Sequence, residues 1–131
     1  PGDEVVLRLP MDARLVKANP KVEETRNQVA VMRGPVVYCL ESVDLARDAT
    51  VTEIYVPPDA SFSPRYVPDL LGGIGILEGE VCRITEPQDD DALYRAFGDE
   101  RKEEVTVRLI PYHAWNNRGP TEMTVWLPIC Y

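Results

Sequence analysis

The chain has 131 residues, 44% of them hydrophobic and 27% charged, which suffices for one core and one domain and rules out wholesale disorder. Twenty-two acids against fourteen Lys and Arg leave a net charge of −8, the wrong sign for phosphate backbones or anionic lipid, so neither nucleic acid nor a membrane is expected as a partner. No apolar run approaches the roughly 18–20 residues of a membrane span, no basic-then-apolar leader opens the sequence, and the expected location is cytoplasmic.

Twelve prolines and eight glycines interrupt every window in which a long helix would form, so the chain reads as strands. Val5-Val6-Leu7-Arg8-Leu9 alternates and is closed by Pro10; Ala13–Ala18 follows and ends at Asn19-Pro20, a turn signal. Val29–Met32 and Val36–Leu40 are nearly continuous in apolar character, as in a strand buried on both faces. Between them, Arg33-Gly34-Pro35 permits a bend or a corner, with Glu41 as the expected partner of Arg33. Val51–Val56 is β-branched and stops at Pro57-Pro58, Arg65–Leu71 reads as irregular, and Gly73–Ile84 is a strand whose glycines mark a bulge or a close backbone approach. Glu86–Glu104 is a charged rim in which Asp89-Asp90-Asp91 would cap one short helical turn over Ala92–Phe97. Val105–Ile110 and Met123–Leu127 return to strands, with Trp126 in the core. Seven to eight strands with regular turn signals predict an all-β fold, an antiparallel, jelly-roll-like β-sandwich formed by residues 1–131 as a single domain.

Chemistry is sparse. Cys39, Cys82 and Cys130 lie more than forty residues apart without a CxxC pair, which argues against a local zinc site and for buried thiols, with a Cys82–Cys130 bridge left open. Asp89–Asp91 lack the spacing of a calcium loop. No catalytic residue, metal ligand or cofactor motif is identified; His113 with a carboxylate would be the thinnest of acid–base pairs. The most unusual composition is Ile110–Pro120, where aromatic, amide and guanidinium groups alternate as they do in sugar binders. Tyr112, His113, Trp115, Asn117 and Arg118 are therefore the candidate ligand-binding residues. The structural reading of the same loop has Tyr112 and Trp115 pinning it to the sandwich edge, Arg118 stacked or bonded to carbonyls, and positive φ at Asn117 or Gly119.

Asn27–Glu41 (NQVAVMRGPVVYCLE) and the stretch from Ile110-Pro111-Tyr112 to Trp126-Leu127-Pro128 resemble the C-terminal part of glycoside hydrolase family 127, the β-L-arabinofuranosidase group. Gly2-Asp3, Leu9-Pro10-Met11 and the Gly73–Gly79 segment fit the same order, so the resemblance spans nearly the whole sequence. It implies a multidomain enzyme whose N-terminal helical (α/α)₆ barrel carries a cysteine nucleophile, a glutamate acid/base and a zinc site, followed by β-sandwich domains. None of the three cysteines here lies in the matching motif. The sequence, which starts at Pro1, is thus expected to be a fragment of a longer chain: a non-catalytic accessory sandwich supporting the barrel and a homodimer. The alternative is an arabinose-glycan-binding module working through the Tyr112–Arg118 loop. Residues 1–30 and 121–131 are expected to be able to belong with a preceding sandwich.

Overall fold

The computed structural model describes residues 2–87 and 93–131, and shows an all-β antiparallel sandwich. Its strands are β1 (Ala13–Val16), β2 (Gln28–Arg33), β3 (Val36–Glu41), β4 (Ile54–Tyr55), β5 (Phe62–Val67), β6 (Ile74–Thr85), β7 (Arg101–Pro111), β8 (Met123–Thr124) and β9 (Leu127–Pro128). They form one hydrogen-bonded path, β1-β2-β3-β7-β6-β4, with β5 added to β6, β8 to β3 and β9 to β2. The path curls so that β1 approaches β5, and a single parallel bridge between Val56 and Ile129 draws its two ends together. Residues 13–16, 28–30, 123–124 and 127–128 are hydrogen-bonded into this same sheet.

The long β6–β7 pair is the spine, in register from Leu77↔Leu109 to Thr85↔Arg101. Inward-facing residues of both layers close over one core of Val29, Val31, Leu40, Ile54, Val56, Leu77, Val81, Val107, Leu109 and Leu127, all buried. A smaller cluster on the other side of the spine gathers Cys39, Ile76, Ile110 and Ala114, against which Trp115, Met123 and Val125 pack. Tyr38 reaches across to donate its hydroxyl proton to the Gly75 carbonyl at 3.2 Å.

Local chemistry explains the turns. Arg33↔Val36 closes a two-residue hairpin through Gly34-Pro35, with Gly34 at φ +56 as a primed turn requires. A Cβ at Gly34 would collide with Met11 Sδ. Gly79 stands opposite Phe62, whose ring lies over the glycine and would be 2.6 Å from an added Cβ, so this glycine marks a close approach.

The structure corrects several expectations. Val5–Leu9 forms no strand: Val5, Leu7 and Leu9 are 92%, 77% and 66% exposed, because alternation supplies an apolar face but the described residues supply no neighbouring strand to pair with it. Arg65–Val67, read as irregular, is half of β5, paired along β6 from Phe62↔Gly79 to Val67↔Ile74. Pro64 sits there because β5 is an edge strand. Val51–Glu53 is a 3-10 turn instead of a strand; Thr50-x-x-Glu53 is a capping-box sequence, and the Thr50 amide donates to Glu53 Oε2 at 3.4 Å.

Asp89–Asp91 and Ala92 lie outside the described residues; Leu93–Phe97 shows no helix, and Leu93, Tyr94 and Phe97 are exposed, so their apolar side chains pack no short turn onto the sandwich. Helical structure among the described residues is confined to four single 3-10 turns, at Glu23–Thr25, Ser42–Asp44, Val51–Glu53 and Tyr112–Ala114. Met123–Leu127 is two strands rather than one, β8 pairing with β3 and β9 with β2, and the chain crosses between them at Val125-Trp126. Trp126 is therefore half-buried at a crossover, not in the core.

Candidate functional site

The segment that the sequence singles out begins where β7 ends. Pro111 closes the strand, Tyr112–Ala114 make a 3-10 turn, and Ala114 is drawn into the smaller core cluster. Asn116 takes φ +64 and Gly119 φ +89, so positive φ falls at 116 and 119, not at Asn117. Asn117 instead turns its side-chain amide inward, donating Nδ2–H to the carbonyls of Ala114 (3.0 Å) and Trp115 (3.2 Å). The loop is shaped by its own side chains.

Arg118 anchors the loop to the opposite side of the sandwich end. Its guanidinium is bidentate on Asp44, Nη1 to Oδ1 at 2.8 Å and Nη2 to Oδ2 at 2.6 Å, and Nη2 also stands 3.6 Å from Glu41 Oε1. The partners are carboxylates, not the carbonyls expected, and Glu41 pairs with Arg118 rather than with Arg33, whose Nε is buried without a hydrogen-bond partner. Glu41 is 0% exposed and neither of its carboxylate oxygens has a hydrogen-bond partner, so the ion pair across 3.6 Å carries its compensation. Arg108 approaches Asp44 Oδ1 at 3.9 Å from β7. The hydrogen-bonded Asp44 carboxylate, and then the charge of Glu41, hold Arg118 more firmly in its charged form. Below the cluster, burial first and Glu41 second push the Cys39 thiol up to about 12. Ser42 completes the anchor: its amide donates to the Glu122 carbonyl at 2.9 Å, and its Oγ accepts from the Glu122 amide at 2.9 Å.

The five candidate residues do not converge on one point. Trp115 is packed partly into the smaller cluster, Arg118 is turned into the Asp44–Glu41 pocket with its side chain 16% exposed, and Asn117 is engaged with the backbone. His113 is exposed and among the described residues has no carboxylate ion-pair partner. Of the five, Tyr112, 47% exposed, alone lines an apolar groove of about 610 Å³ whose walls include Met32, Val37, Met123, Val125 and Trp126.

Sequence reasoning did not find this groove, because it assembles from β1, β2, β3 and the β8–β9 crossover, segments over a hundred residues apart in the chain. It also missed Asp44, although an acid just past the apolar Val36–Leu40 run was a signal. Two polar clefts flank β6 and β7. One, about 890 Å³, is walled by Asp59, Glu80, Cys82, Lys102 and Glu104, and Glu80 beside Glu104 raises the Glu104 carboxyl above its ordinary value. The other holds Arg83, which is bonded to Glu53 at 2.7 Å and to Asp48 at 3.1 Å. Among the described residues no group of three or more His, Cys, Asp or Glu could hold a metal ion.

Residues 13–128 match the glycoside hydrolase family 127 C-terminal domain. The sequence is 38% identical over 127 residues, 94% of this chain, to the non-reducing end β-L-arabinofuranosidase of Bifidobacterium longum subsp. longum. Among solved structures it is similar to a GH127 β-L-arabinofuranosidase from Geobacillus stearothermophilus T6, with TM-score 0.83 and 40% identity over 92% of this chain. A second GH127 β-arabinofuranosidase structure aligns over 92% of this chain with TM-score 0.76 and 38% identity. The chain spans 19% of the Bifidobacterium protein's length and 19% and 17% of the two solved chains.

Proposed function

This chain belongs to glycoside hydrolase family 127, as its C-terminal domain, and from that premise we propose that it is a non-catalytic accessory sandwich of a β-L-arabinofuranoside-cleaving enzyme. Residues 1–131 are then one domain of a longer cytoplasmic protein, whose N-terminal helical barrel does the chemistry while this domain supports the barrel and a homodimer. The observation that carries the reading is the apolar groove between Tyr112 and Trp126: its walls offer methyl, thioether and ring surface with few hydrogen-bonding groups, the chemistry of a protein–protein contact. Among the described residues no Asp, Glu, Lys, Arg or His lines it, and Glu41, Asp44 and Arg118 are paired with one another.

The test is Met32→Glu and Val125→Glu in the full-length protein. Each places a charge on the groove wall, and the expected result is a lower thermal midpoint together with limited proteolysis that releases the domain. Wild-type midpoint and wild-type proteolysis in both variants would remove the groove from the contact. Fractionation of cells tests the cytoplasmic location.

A second reading, binding of an arabinose-containing glycan, is favoured by one observation: Tyr112 and Trp126 present partly exposed aromatic rings on the same groove. Titration with arabinose oligomers, followed by tryptophan fluorescence, separates the two. Saturable quenching lost in Tyr112→Ala supports sugar binding, and a flat response at millimolar sugar leaves the scaffold reading alone.

A further inference from the structure

Cys82 and Cys130 come from opposite ends of the path of strands, 48 residues apart in sequence, yet the Cys130 thiol donates to Cys82 Sγ at 2.8 Å. Both side chains are buried, and both are free thiols. Cys82 stands on β6 directly across from Tyr55 of β4, and Cys130 lies in the last segment of the chain, where its amide donates to the Val56 carbonyl at 3.1 Å and the Val56 amide donates to the Pro128 carbonyl at 2.8 Å. The pair therefore lies beside the seam at Val56 and Ile129, a single parallel bridge carried by these two backbone hydrogen bonds. Cys82 also forms part of the wall of the open cleft beside Lys102 and Glu104, the side from which a reagent would approach the pair. Cys39, the third thiol, lies in the smaller cluster with Ile76 and Ile110, away from that cleft.

We propose that Cys82 and Cys130 are a reversible disulfide site that locks the C-terminal segment onto β6 when a small-molecule disulfide is the oxidant. The exchange runs in two steps. The Cys82 thiolate attacks one sulfur of the oxidant and expels the other as a thiolate, leaving a mixed disulfide on Cys82. The Cys130 thiolate then attacks Cys82 Sγ and expels the second thiolate. Two cysteine protons are released and taken up by the two departing thiolates, so one oxidant disulfide is reduced to two thiols as one Cys82–Cys130 bond forms. In a reducing compartment the same chemistry runs backwards and the thiols persist. The site is independent of the groove and of any role in glycoside cleavage, so it stands or falls separately from the accessory-domain reading.

The test uses the full-length protein that carries this domain, treated with glutathione disulfide, alkylated without reduction and digested with trypsin. The expected product is the peptide 66–83 linked to the peptide that begins at Gly119, with the Cys39 peptide 34–47 alkylated only after denaturation and the link abolished by dithiothreitol. In the oxidised protein, hydrogen exchange at the Val56 and Cys130 amides slows by about tenfold or more, since the crosslink suppresses fraying of that seam. Cys130→Ser, which leaves the fold's hydrogen bonds in place, is expected to stop at the mixed disulfide on Cys82. Full alkylation of both Cys82 and Cys130 after oxidant, a wild-type protein that halts at the mixed disulfide, or a link that joins two copies of the chain would each overturn the proposal.

Discussion

Removing the guanidinium of Arg118 should be the most damaging single change outside the main core. Arg118→Met keeps the length and apolar stem of the side chain but strands two carboxylates, Glu41 with no exposed surface and Asp44 with a side chain 6% exposed. At an effective dielectric of about 20, opposite unit charges about 3.6 Å apart attract by roughly 4–5 kcal/mol, and the closer bidentate contact by more. The net effect is smaller than that sum, because both partners are desolvated when paired, and breaking a buried pair of this kind typically costs about 3–5 kcal/mol. That is a large share of the roughly 5–15 kcal/mol by which a domain is stable. Arg118→Lys, a point charge that cannot grip Asp44 with two parallel bonds, should lose about half as much. The assay is urea unfolding followed by tryptophan fluorescence, with Glu41→Gln alone and combined with Arg118→Met to close a double-mutant cycle. The expected cycle is non-additive, the double variant recovering part of the loss. An Arg118→Met variant within about 1 kcal/mol of wild type, or strictly additive effects, would refute the claim that the pair compensates a buried charge.

Other consequences follow from single contacts. Gly79→Ala puts a methyl against the Phe62 ring and Ser61 carbonyl and should destabilise by about 1–3 kcal/mol, read by thermal unfolding, with Phe62→Leu in the same chain relieving part of it. Cys39, whose thiol burial and Glu41 push up to about 12, should resist iodoacetamide at pH 8 in the native state and react only on unfolding. Glu104 binds its proton more tightly folded than unfolded because Glu80 is beside it, so this pair costs the folded state stability that is lost as the pH rises through the ordinary glutamate range. Glu104→Gln should accordingly raise the thermal midpoint at pH 7 and give no gain at pH 3, and a gain that persists at pH 3 would point to another cause.

The parts of the fold that follow from local rules were legible in the sequence. β2, β3, β6 and β7 announce themselves by β-branched and apolar runs, and Gly34-Pro35 and Gly79 by a turn and a close approach. The exceptions share one cause, that partners are chosen by tertiary arrangement. Val5–Leu9 has a strand's pattern and no neighbouring strand among the described residues, while Ser63-Pro64-Arg65 lacks the pattern and is held in β5 by its register on β6. The loop at 112–118 was recognisable as unusual, but the destination of each side chain was not, since Arg118 meets an acid 74 residues away. Trp126 misled because a strand-like run conceals the point at which the chain leaves β3 for β2.

Hydrolysis of a chromogenic β-L-arabinofuranoside by this chain alone, purified twice and compared with its His113→Gln variant, bears most directly on the division of labour proposed between domains. Release no faster than buffer, with full activity in the longer protein that contains the helical barrel, is the predicted outcome. Turnover that follows the folded 131-residue chain through repurification and falls in His113→Gln would contradict it.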